Sequence, residues 1–285
     1  MIHGHTQRVG LIGWPVEHSL SPVMHNAAFD ALGLPYRYKL VPTPPERVKT
    51  TLNRLKRQGF RGINVTVPHK QVVLDVLDEI DDTAQAIGAV NTILVRDGRL
   101  IGHNTDGAGF LAALREAGFE PDGRQALVLG AGGAARAVVY TLAQAGCTVA
   151  IHNRTVRRAA ELAHDMSRLG VRAPVTWLPI NVEPSGLDPA HFDLLVNATL
   201  VGMWPEIDVS PWPEALPVPS RWTIFDLVYN PLETRLLRLA RASGAHAVDG
   251  LGMLVWQGAL AFELWTGQSA PVDVMRAACE KELAK

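Results

Sequence analysis

The chain has 285 residues and carries 27 Lys and Arg against 28 Asp and Glu, which gives a formal net charge of −1. This balance argues against nucleic acid as the main partner, because a surface that neutralises phosphates needs an excess of basic residues. With 47% hydrophobic and 19% charged residues, the chain can bury a large core, which excludes a disordered protein. The length favours two domains of moderate size.

Cysteine usage and hydropathy bear on the location of the protein. Cys147 and Cys279 lie far apart in the sequence among apolar residues. They indicate neither a disulfide framework nor a metal site, and a reducing compartment is expected. The apolar run at residues 9–16 is short and contains Gly13 and Pro15, unlike the hydrophobic part of a signal peptide. We therefore expect a cytoplasmic protein without a membrane segment or a metal.

The N-terminal third alternates short β-branched runs with helical patterns. The predicted strands are 9–13, 36–41 and 63–67, followed by a hairpin of 90–96 and 99–103 around the Asp97-Gly98 pair. The predicted helices are 22–32, 46–58 and 70–79. Ser21 is the predicted N-cap of the first helix, with Pro22 at its first position. The hairpin makes at least one strand pair of this region antiparallel.

From residue 106 onwards, strands and helices alternate more regularly. The predicted strands are 126–129, 148–152, 175–178, 194–197, 223–227 and 246–248, and the predicted helices are 108–117, 134–145, 156–169, 232–242, 251–265 and 272–284. Strands joined by helical crossovers indicate a parallel sheet covered on both faces. The proline-rich residues 179–220 are predicted to be mostly loop. Trp204, Trp212 and Trp222 are expected to pack against a loop, with an interface as the alternative. The pattern predicts an α/β protein.

A glycine-rich turn joins the strand 126–129 to the helix that follows it. Its sequence, G-A-G-G-A-A at residues 130–135, has the form G-x-G-x-x-A. Gly130 allows a tight turn, Gly132 lets the backbone approach a pyrophosphate, and Ala135 lets the helix pack closely on the strand. The helix N-terminus then offers free N–H groups to the phosphates. With a strand before it and a helix after it, this turn predicts a Rossmann dinucleotide-binding site and not an ordinary glycine-rich turn.

The end of the next strand indicates which dinucleotide binds. An NAD site usually has Asp or Glu there to bind the ribose 2′-hydroxyl, but this chain has H-N-R-T at residues 152–155. Arg154 and Arg158 lie close to Asn153 and Thr155, and guanidinium groups bind phosphate through paired hydrogen bonds. We therefore expect NADP, whose 2′-phosphate these residues would bind. Arg157 can equally be an ordinary solvated side chain.

Polar segments upstream of the dinucleotide turn carry candidate substrate-binding groups. They are S-L-S-P at residues 19–22, N-V-T-V-P-H-K at 64–70, G-A-V-N-T at 88–92 and N-T-D-G at 104–107. Donors and acceptors of this kind suit a small polyhydroxylated substrate. Each segment taken alone also has a structural explanation, since Ser21 and Asp106 can cap helices, Asn91 can serve a turn and Lys70 can be solvated.

Together with the dinucleotide turn, these motifs resemble the shikimate dehydrogenase family. Further motifs of the resemblance are G-A-G-G-A at 130–134, N-R-T at 153–155 and D-G-L-G-M-L-V-W-Q-G-A at 249–259. They occur in the order typical of the family and cover the chain from residue 9 to about residue 263. The resemblance implies an NADPH-dependent, reversible reduction of 3-dehydroshikimate to shikimate in aromatic amino-acid biosynthesis, with these small molecules as the binding partners.

The resemblance also implies roles for individual residues. Ser19 and Ser21 would bind the substrate carboxylate, and Lys70 and Asp106 would form the acid/base pair. The other residues expected to hold the substrate are Thr66, Asn91, Tyr229 and Gln257. The residues expected to bind the cofactor are Gly130, Ala131, Gly132, Gly133, Ala134, Asn153, Arg154, Thr155, Arg158, Thr199, Leu227 and Gly250. Whether Lys70 transfers a proton or serves as a charged hydrogen-bond donor stays open on this basis.

Because Gln257 follows the nucleotide-binding half, the resemblance implies a discontinuous substrate domain. We expect a mixed-sheet α/β substrate domain of residues 1–106 plus 251–285, an inserted Rossmann domain of residues 107–250 and a cleft between them. The sequence does not decide between a monomer and a homodimer.

Three alternative functions share this architecture. A quinate/shikimate dehydrogenase is opposed by the arginines after Asn153 and by Ser21, where quinate-using relatives tend to have Thr. A methylenetetrahydrofolate dehydrogenase would lack the pairing of S-L-S-P with N-T-D-G. A non-catalytic NADP-binding sensor would not need both Lys70 and Asp106.

Overall fold

The computed structural model describes residues 6–178 and 191–285. The chain divides into two compact units. One unit contains the residues up to Gly109 together with Val255–Lys285, and the other is the continuous segment Phe110–Leu254. Both places where the chain passes from one unit to the other lie inside helices.

The first unit is built on a mixed sheet. Its strands are β1 (Gln7–Gly13), β2 (Tyr36–Pro42), β3 (Phe60–Val65), β4 (Glu79–Ile80), β5 (Thr92–Arg96) and β6 (Arg99–His103), in the spatial order β2-β1-β3-β5-β6-β4. β1 pairs in parallel with β2 and β3, whereas β5 is antiparallel to both β3 and β6. The β5–β6 turn has positive φ at Asp97 and Gly98, as a tight hairpin requires. The predicted mixed sheet is therefore confirmed.

Helices cover both faces of this sheet. They are α1 (Ser21–Ala31), α2 (Val48–Arg57), α3 (Asp82–Ile87), the start of α4 (Asp106–Glu116), most of α8 (Leu251–Thr266) and α9 (Val272–Leu283). On one face, Leu52 and Leu55 of α2 pack against Ile63 of β3 and Ile93 of β5. On the other face, α9 packs against α1. The central strands β1 and β3 are accordingly buried along most of their length.

The second unit is a parallel sheet. Its strands are β7 (Gln125–Leu129), β8 (Thr148–His152), β9 (Val175–Trp177), β10 (Leu194–Asn197), β11 (Thr223–Asp226) and β12 (His246–Val248), and its helices include α5 (Gly133–Gln144), α6 (Val156–Leu169) and α7 (Arg235–Ala242). The spatial order is β12-β11-β10-β7-β8-β9. The chain runs outward from β7 to β9 and then from β10 to β12, so the winding reverses between β7 and β10. Open parallel sheets bind ligands at such a reversal, and the predicted Rossmann fold is confirmed.

The structure differs from the sequence-based predictions at two places and contains one helix that was not predicted. The first helix begins at Ser21 and its N-cap is Leu20, so Ser21 is not the N-cap; its N–H instead donates to Ser19 Oγ at 3.2 Å. The predicted helix 70–79 is replaced by a short 3-10 helix, Val72–Val76, and by β4. Pairing with β6 draws this segment into the sheet. The helix α3 was not predicted, although Asp81 caps it by accepting from the N–H of Ala84 at 2.7 Å.

The predicted loop region 179–220 is described from residue 191 onwards, and residues 179–190 lie outside the described ranges. Trp212 in this region and Trp222 just after it are buried, with ring centroids 5.4 Å apart. They belong to a core that includes Leu195 of β10 and Ile224 of β11. Trp204 is exposed. Trp212 and Trp222 therefore anchor the loop segment to the sheet.

Other sequence-based expectations concern membranes, thiols and metals. Within the described ranges, every helix is too short or too polar to cross a bilayer. Cys147 and Cys279 are buried free thiols, and burial raises their pKa values to about 12 and about 11. In the same ranges, no group of three or more His, Cys, Asp or Glu side chains is arranged to hold a metal ion.

Candidate active site

Four of the predicted substrate residues meet in one hydrogen-bonded network in the first unit. Lys70 Nζ lies 2.6 Å from Asp106 Oδ2, and only 14% and 5% of these side chains are exposed. Asn91 Nδ2 donates to Asp106 Oδ1 at 2.8 Å and to Gln257 Oε1 at 3.3 Å. Asp106 thus accepts hydrogen bonds at both oxygens, which suits an ionised carboxylate.

The sheet order explains why these residues converge. Lys70 follows β3, and Asn91 directly precedes β5, which is paired with β3. The carbonyl of Lys70 accepts from the N–H of Val90 at 2.7 Å, which ties the two segments together. Asp106 is the first residue of α4, and its N–H donates to Asn104 Oδ1 at 3.0 Å. The lysine and the carboxylate are therefore held by separate elements that the sheet brings together.

A close approach of two helices places Gln257 in the network. A Cβ atom added to Gly109 of α4 would lie 2.6 Å from the backbone nitrogen of Gln257 of α8. Real Cβ atoms do not approach backbone that closely, so glycine at this position lets α8 come near α4.

A second layer of hydrogen bonds supports Asn91. Asn64 Nδ2 donates to the carbonyl of Asn91 at 3.2 Å and to Thr92 Oγ1 at 3.1 Å. Asn64 Oδ1 in turn accepts from the hydroxyl of Tyr38 at 2.7 Å. Asn64 belongs to a motif quoted above, but the motif itself does not indicate this supporting role. The role depends on neighbours in space across the sheet.

Ser19 and Thr66 lie on loops that follow β1 and β3, and Ser21 is the first residue of α1. Ser19 Oγ donates to Ser21 Oγ at 3.2 Å. The two loops adjoin, because the N–H of Trp14 donates to the carbonyl of Val67 at 3.0 Å and a Cβ on Gly13 would overlap the methyl group of Thr66. Within the described residues, these three side chains have no direct hydrogen bond to Lys70. Tyr229 belongs to the second unit.

His69 fixes the turn that carries Lys70. It is fully buried, and its Nε2 lies 2.6 Å from the carbonyl oxygen of Thr43. Because a carbonyl can only accept, Nε2 carries the hydrogen. The sequence did not single out this residue, since its partner lies in the loop after β2.

The glycine-rich turn of the second unit has the geometry expected of a phosphate-binding turn. Gly130 has a φ of 114°, and a Cβ there would lie 3.0 Å from the carbonyl oxygen of Ala198. Gly132 is the N-cap of α5, and a Cβ there would meet nothing within 4 Å. Ala135 is fully buried. The turn therefore presents bare backbone to open space at the N-terminus of α5.

A cavity of about 480 Å³ lies beside this turn in the second unit. Its walls include Gly130, Asn153, Arg154, Thr199 and Val201. Asn153 Nδ2 donates to the carbonyl of Thr155 at 2.9 Å, which shapes the loop after β8. The cavity therefore joins the predicted phosphate-binding turn to the predicted 2′-phosphate residues.

The three arginines after β8 differ in their ion pairing. Arg157 Nε lies 2.7 Å from Glu161 Oε1. Arg154 and Arg158 are exposed, and within residues 6–178 and 191–285 neither has a carboxylate partner. Two of the three guanidinium groups are thus available to an anion.

Two further residues hold the loops after β10 and β11. Asn197 and Asp226 are fully buried partners in the strand register, and Asn197 Nδ2 donates to Asp226 Oδ1 at 2.8 Å. Burial raises the pKa of Asp226 to about 6, against the lowering effect of its hydrogen bonds from Thr234, Val228 and Asn197.

Leu227 and Gly250 are packed backbone to backbone in the same region. Leu227 donates its N–H to the carbonyl of Asn197 at 3.0 Å, and a Cβ on Gly250 would overlap the carbonyl oxygen of Leu227. Glycine at position 250 is therefore required by the close approach of these two segments.

Comparison with known proteins identifies the family. Residues 11–93 match the shikimate dehydrogenase substrate binding domain, residues 113–176 match shikimate / quinate 5-dehydrogenase, and residues 250–280 match the shikimate 5′-dehydrogenase C-terminal domain. A shikimate dehydrogenase (NADP(+)) of Moorella thermoacetica is 50% identical over 273 residues, which are 95% of this chain and 91% of that protein. The chain belongs to the shikimate dehydrogenase family.

Other members of the shikimate dehydrogenase family agree over nearly the full length. The shikimate dehydrogenase (NADP(+)) of Methanopyrus kandleri is 50% identical over 285 residues, 99% of this chain and 98% of that protein. The crystal structure of shikimate 5-dehydrogenase from Thermus thermophilus, in complex with NADP(H) and shikimate, has a TM-score of 0.86 and 44% identity, covering 96% of this chain and 99% of that one. The predicted family is confirmed, while the roles of the individual site residues stay predictions.

Proposed function

We propose that this chain reduces 3-dehydroshikimate reversibly to shikimate with NADPH, as a step of aromatic amino-acid biosynthesis. The observation that carries the proposal is the buried Lys70–Asp106 ion pair, in a chain 50% identical to a shikimate dehydrogenase over nearly its full length. Burying two charges is costly, and a protein that only bound the ligands would have no need for this pair.

The first unit offers groups that match the substrate. Shikimate has a carboxylate and ring hydroxyl groups. The hydroxyls of Ser19 and Ser21, with 3.2 Å between their oxygens, can donate to the carboxylate. The other groups proposed to hold the substrate are Thr66, Lys70, Asn91, Asp106, Gln257 and, from the second unit, Tyr229.

NADP fits the residues of the second unit. The glycine turn leaves open space in front of the N-terminus of α5, where backbone N–H groups can bind a pyrophosphate. Arg154 and Arg158, with Asn153 and Thr155, would hold the 2′-phosphate. Gly130, Ala131, Gly132, Gly133, Ala134, Thr199, Leu227 and Gly250 complete the proposed cofactor-binding set.

The Lys70–Asp106 pair accounts for the proton chemistry. Bound NADPH supplies a hydride to the carbonyl carbon of the substrate. The carbonyl oxygen then gains negative charge, which a proton or a fixed positive group must stabilise. Lys70 can do this, because Asp106 Oδ2 occupies one of its three N–H donors and leaves two for the substrate. Asp106 orients the lysine, and Asn91 fixes Asp106. In the oxidation direction, the same pair receives the proton of the substrate hydroxyl.

The domain roles form part of the proposal. We assign substrate binding to residues 1–106 plus 251–285 and NADP binding to residues 107–250. The matches to a substrate-binding domain at residues 11–93 and the glycine turn after β7 support this division. A cytoplasmic location is proposed as well, and the two free, buried thiols support it.

One assay tests the function against its alternatives. The purified protein is given shikimate or quinate with NADP⁺ or NAD⁺, and formation of the reduced nicotinamide is followed by absorbance. We expect rapid turnover with shikimate and NADP⁺ and much slower turnover in the other combinations. Comparable rates with quinate would replace the proposal by a quinate/shikimate dehydrogenase. NADP⁺ binding without any turnover would replace it by a non-catalytic sensor.

A further inference from the structure

Asn197 has every hydrogen-bonding position of its side-chain amide occupied. Nδ2 donates to Asp226 Oδ1 at 2.8 Å and to the carbonyl of Val201 at 3.2 Å. Oδ1 accepts from the N–H of Thr199 at 3.1 Å and from its hydroxyl at 2.7 Å. An amide has two hydrogens and two acceptor sites, so all four are used. The residue itself is fully buried.

These hydrogen bonds fold the loop of residues 198–201 over the end of β10. The Thr199 hydroxyl also accepts from the N–H of Val201 at 3.1 Å, which closes the loop on itself. Thr199 and Val201 are both in the wall of the 480 Å³ cavity beside the glycine turn. The amide of Asn197 thus determines the shape of that wall without being part of it.

Asp226 determines which way round the amide points. Its Oδ1 also accepts from the N–H of Val228 at 3.1 Å, and its Oδ2 accepts from the hydroxyl of Thr234 at 2.7 Å. Its partners are donors, so the carboxylate requires the NH₂ group of Asn197 on its side. Oδ1 of Asn197 then necessarily faces Thr199. One buried carboxylate thereby orders the loop after β10 and the first residues after β11.

We propose that Asn197 and Asp226 are positioning residues for NADP binding: Asp226 orients the amide of Asn197, and Asn197 holds residues 198–201 in the shape that receives the cofactor. This inference rests on the proposed function only in taking NADP as the ligand of the cavity. Neither residue contacts the cofactor in this scheme, and both act through Thr199, Val201 and the backbone after β11.

The test compares two variants that remove hydrogen bonds from opposite ends of the same pair. Asn197→Ala removes the bonds that shape the cavity wall. Thr234→Val removes the hydrogen bond to Asp226 Oδ2. It also removes the N-cap of α7, where the Thr234 side chain accepts from the N–H of Leu237. The hydrogen bonds within the loop of residues 198–201 are retained in this variant. Dissociation constants for NADP⁺ and shikimate are measured by fluorescence titration, and Tm is measured in parallel. The titrations are run at about pH 8, where Asp226 is ionised.

We expect Asn197→Ala to raise the Kd for NADP⁺ about tenfold and to leave the Kd for shikimate unchanged. Thr234→Val should lower Tm without changing the Kd for NADP⁺. Asp226→Leu should raise the Kd for NADP⁺ by a similar factor, because leucine has no acceptor for the NH₂ group of Asn197. Should the alanine variant not fold, Asn197→Ser serves in its place, since a serine hydroxyl is too short to bridge Asp226 and Thr199.

The inference is overturned if the Asn197 variant binds NADP⁺ as the wild type does, or if Thr234→Val weakens NADP⁺ binding equally, which would indicate general destabilisation. Failure of the wild-type protein to bind NADP⁺ at all would instead defeat the proposed function. The two failures are therefore distinguishable.

Discussion

Lys70 and Asp106 are 36 residues apart in the sequence, yet Nζ and Oδ2 lie 2.6 Å apart with both side chains largely buried. The second oxygen of Asp106 is occupied by Asn91, so the carboxylate cannot rotate away from the lysine without losing a hydrogen bond. The ammonium group is consequently held in one place before any substrate arrives. Pre-organisation of this kind is what electrostatic stabilisation of a developing negative charge requires.

Removing the lysine should separate catalysis from cofactor binding. We expect Lys70→Ala to lower kcat by about 10²–10⁴-fold, the range for loss of a positioned acid/base group. The Kd for NADP⁺ should stay within about twofold, because Lys70 and the glycine turn lie in different units. Steady-state kinetics and fluorescence titration measure the two effects. Lys56→Ala, which removes a lysine 3.5 Å from Asp78 at the surface, is the control and should leave kcat unchanged. Wild-type kcat in Lys70→Ala would defeat the assignment.

Two glycines of the same turn should respond differently to alanine. Gly132 has a φ of −87° and open space around it, so Gly132→Ala should fold with nearly wild-type stability while its methyl group weakens NADP⁺ binding about tenfold or more. Gly130 has a φ of 114°, and Gly130→Ala should cost about 1–3 kcal/mol in the free energy of unfolding. Urea unfolding and NADP⁺ titration of both variants check this. Unchanged affinity in Gly132→Ala would show that the phosphates do not approach the turn there.

Cofactor preference should depend on Arg154 and Arg158. Arg154→Ala and Arg158→Ala should each lower kcat/KM for NADP⁺ about tenfold or more, which corresponds to loss of a charge-assisted hydrogen bond. In both variants kcat/KM for NAD⁺, which lacks the 2′-phosphate, should barely change. Arg157→Ala is the matched control, because Glu161 already binds that guanidinium. Equal losses with NADP⁺ and NAD⁺ would contradict a 2′-phosphate site.

Acid stability should depend on His25. Its ring is fully buried and stacks on Tyr38 with centroids 4.6 Å apart, and neither ring nitrogen has a hydrogen-bond partner among the described residues. Burial lowers its pKa from 6.5 to about 3, so the unfolded chain takes up a proton that the folded protein excludes. The contribution of neutral His25 to stability is fully present above pH 6.5, the pKa of histidine in the unfolded chain. It is lost as the pH falls towards about 3, the pKa of His25 in the folded protein.

Between about pH 7.5 and pH 4.5, this residue should cost the protein about 2–3 kcal/mol of unfolding free energy. Urea unfolding at both pH values measures the change, and His25→Phe, which keeps a stacked ring without a titratable group, should lack that part of it. The same pH dependence in wild type and variant would rule out His25 as the source.

The sequence was sufficient for features that depend on local signals. The glycine turn between β7 and α5, the Asp97-Gly98 hairpin and the alternation of strands and helices in the second unit each follow from residues within a few positions of one another. Their physical basis, φ values open to glycine and the N–H groups of a helix start, is encoded in those positions.

Features that depend on partners distant in sequence were missed or misread. Ser21 has the side chain of an N-cap, but Ser19 binds its N–H and the helix starts one residue earlier than such a cap would allow. Residues 70–79 follow a helical pattern, but Glu79 and Ile80 pair with β6, more than twenty residues further on. Asn197 and Asp226 were predicted only as residues of the strands 194–197 and 223–227. Their pairing arises from the lateral order of parallel strands, which a single sequence does not specify.

The discontinuity of the first unit determines the order in which the protein can fold on the ribosome. Val255–Lys285 completes that unit, and its last helix packs against α1. The segment Phe110–Leu254 is continuous and leaves the ribosome earlier, and a contiguous domain can fold as soon as it has emerged. The second unit can therefore finish folding before the first, and the surface of α1 that α9 covers stays bare until α9 has been synthesised.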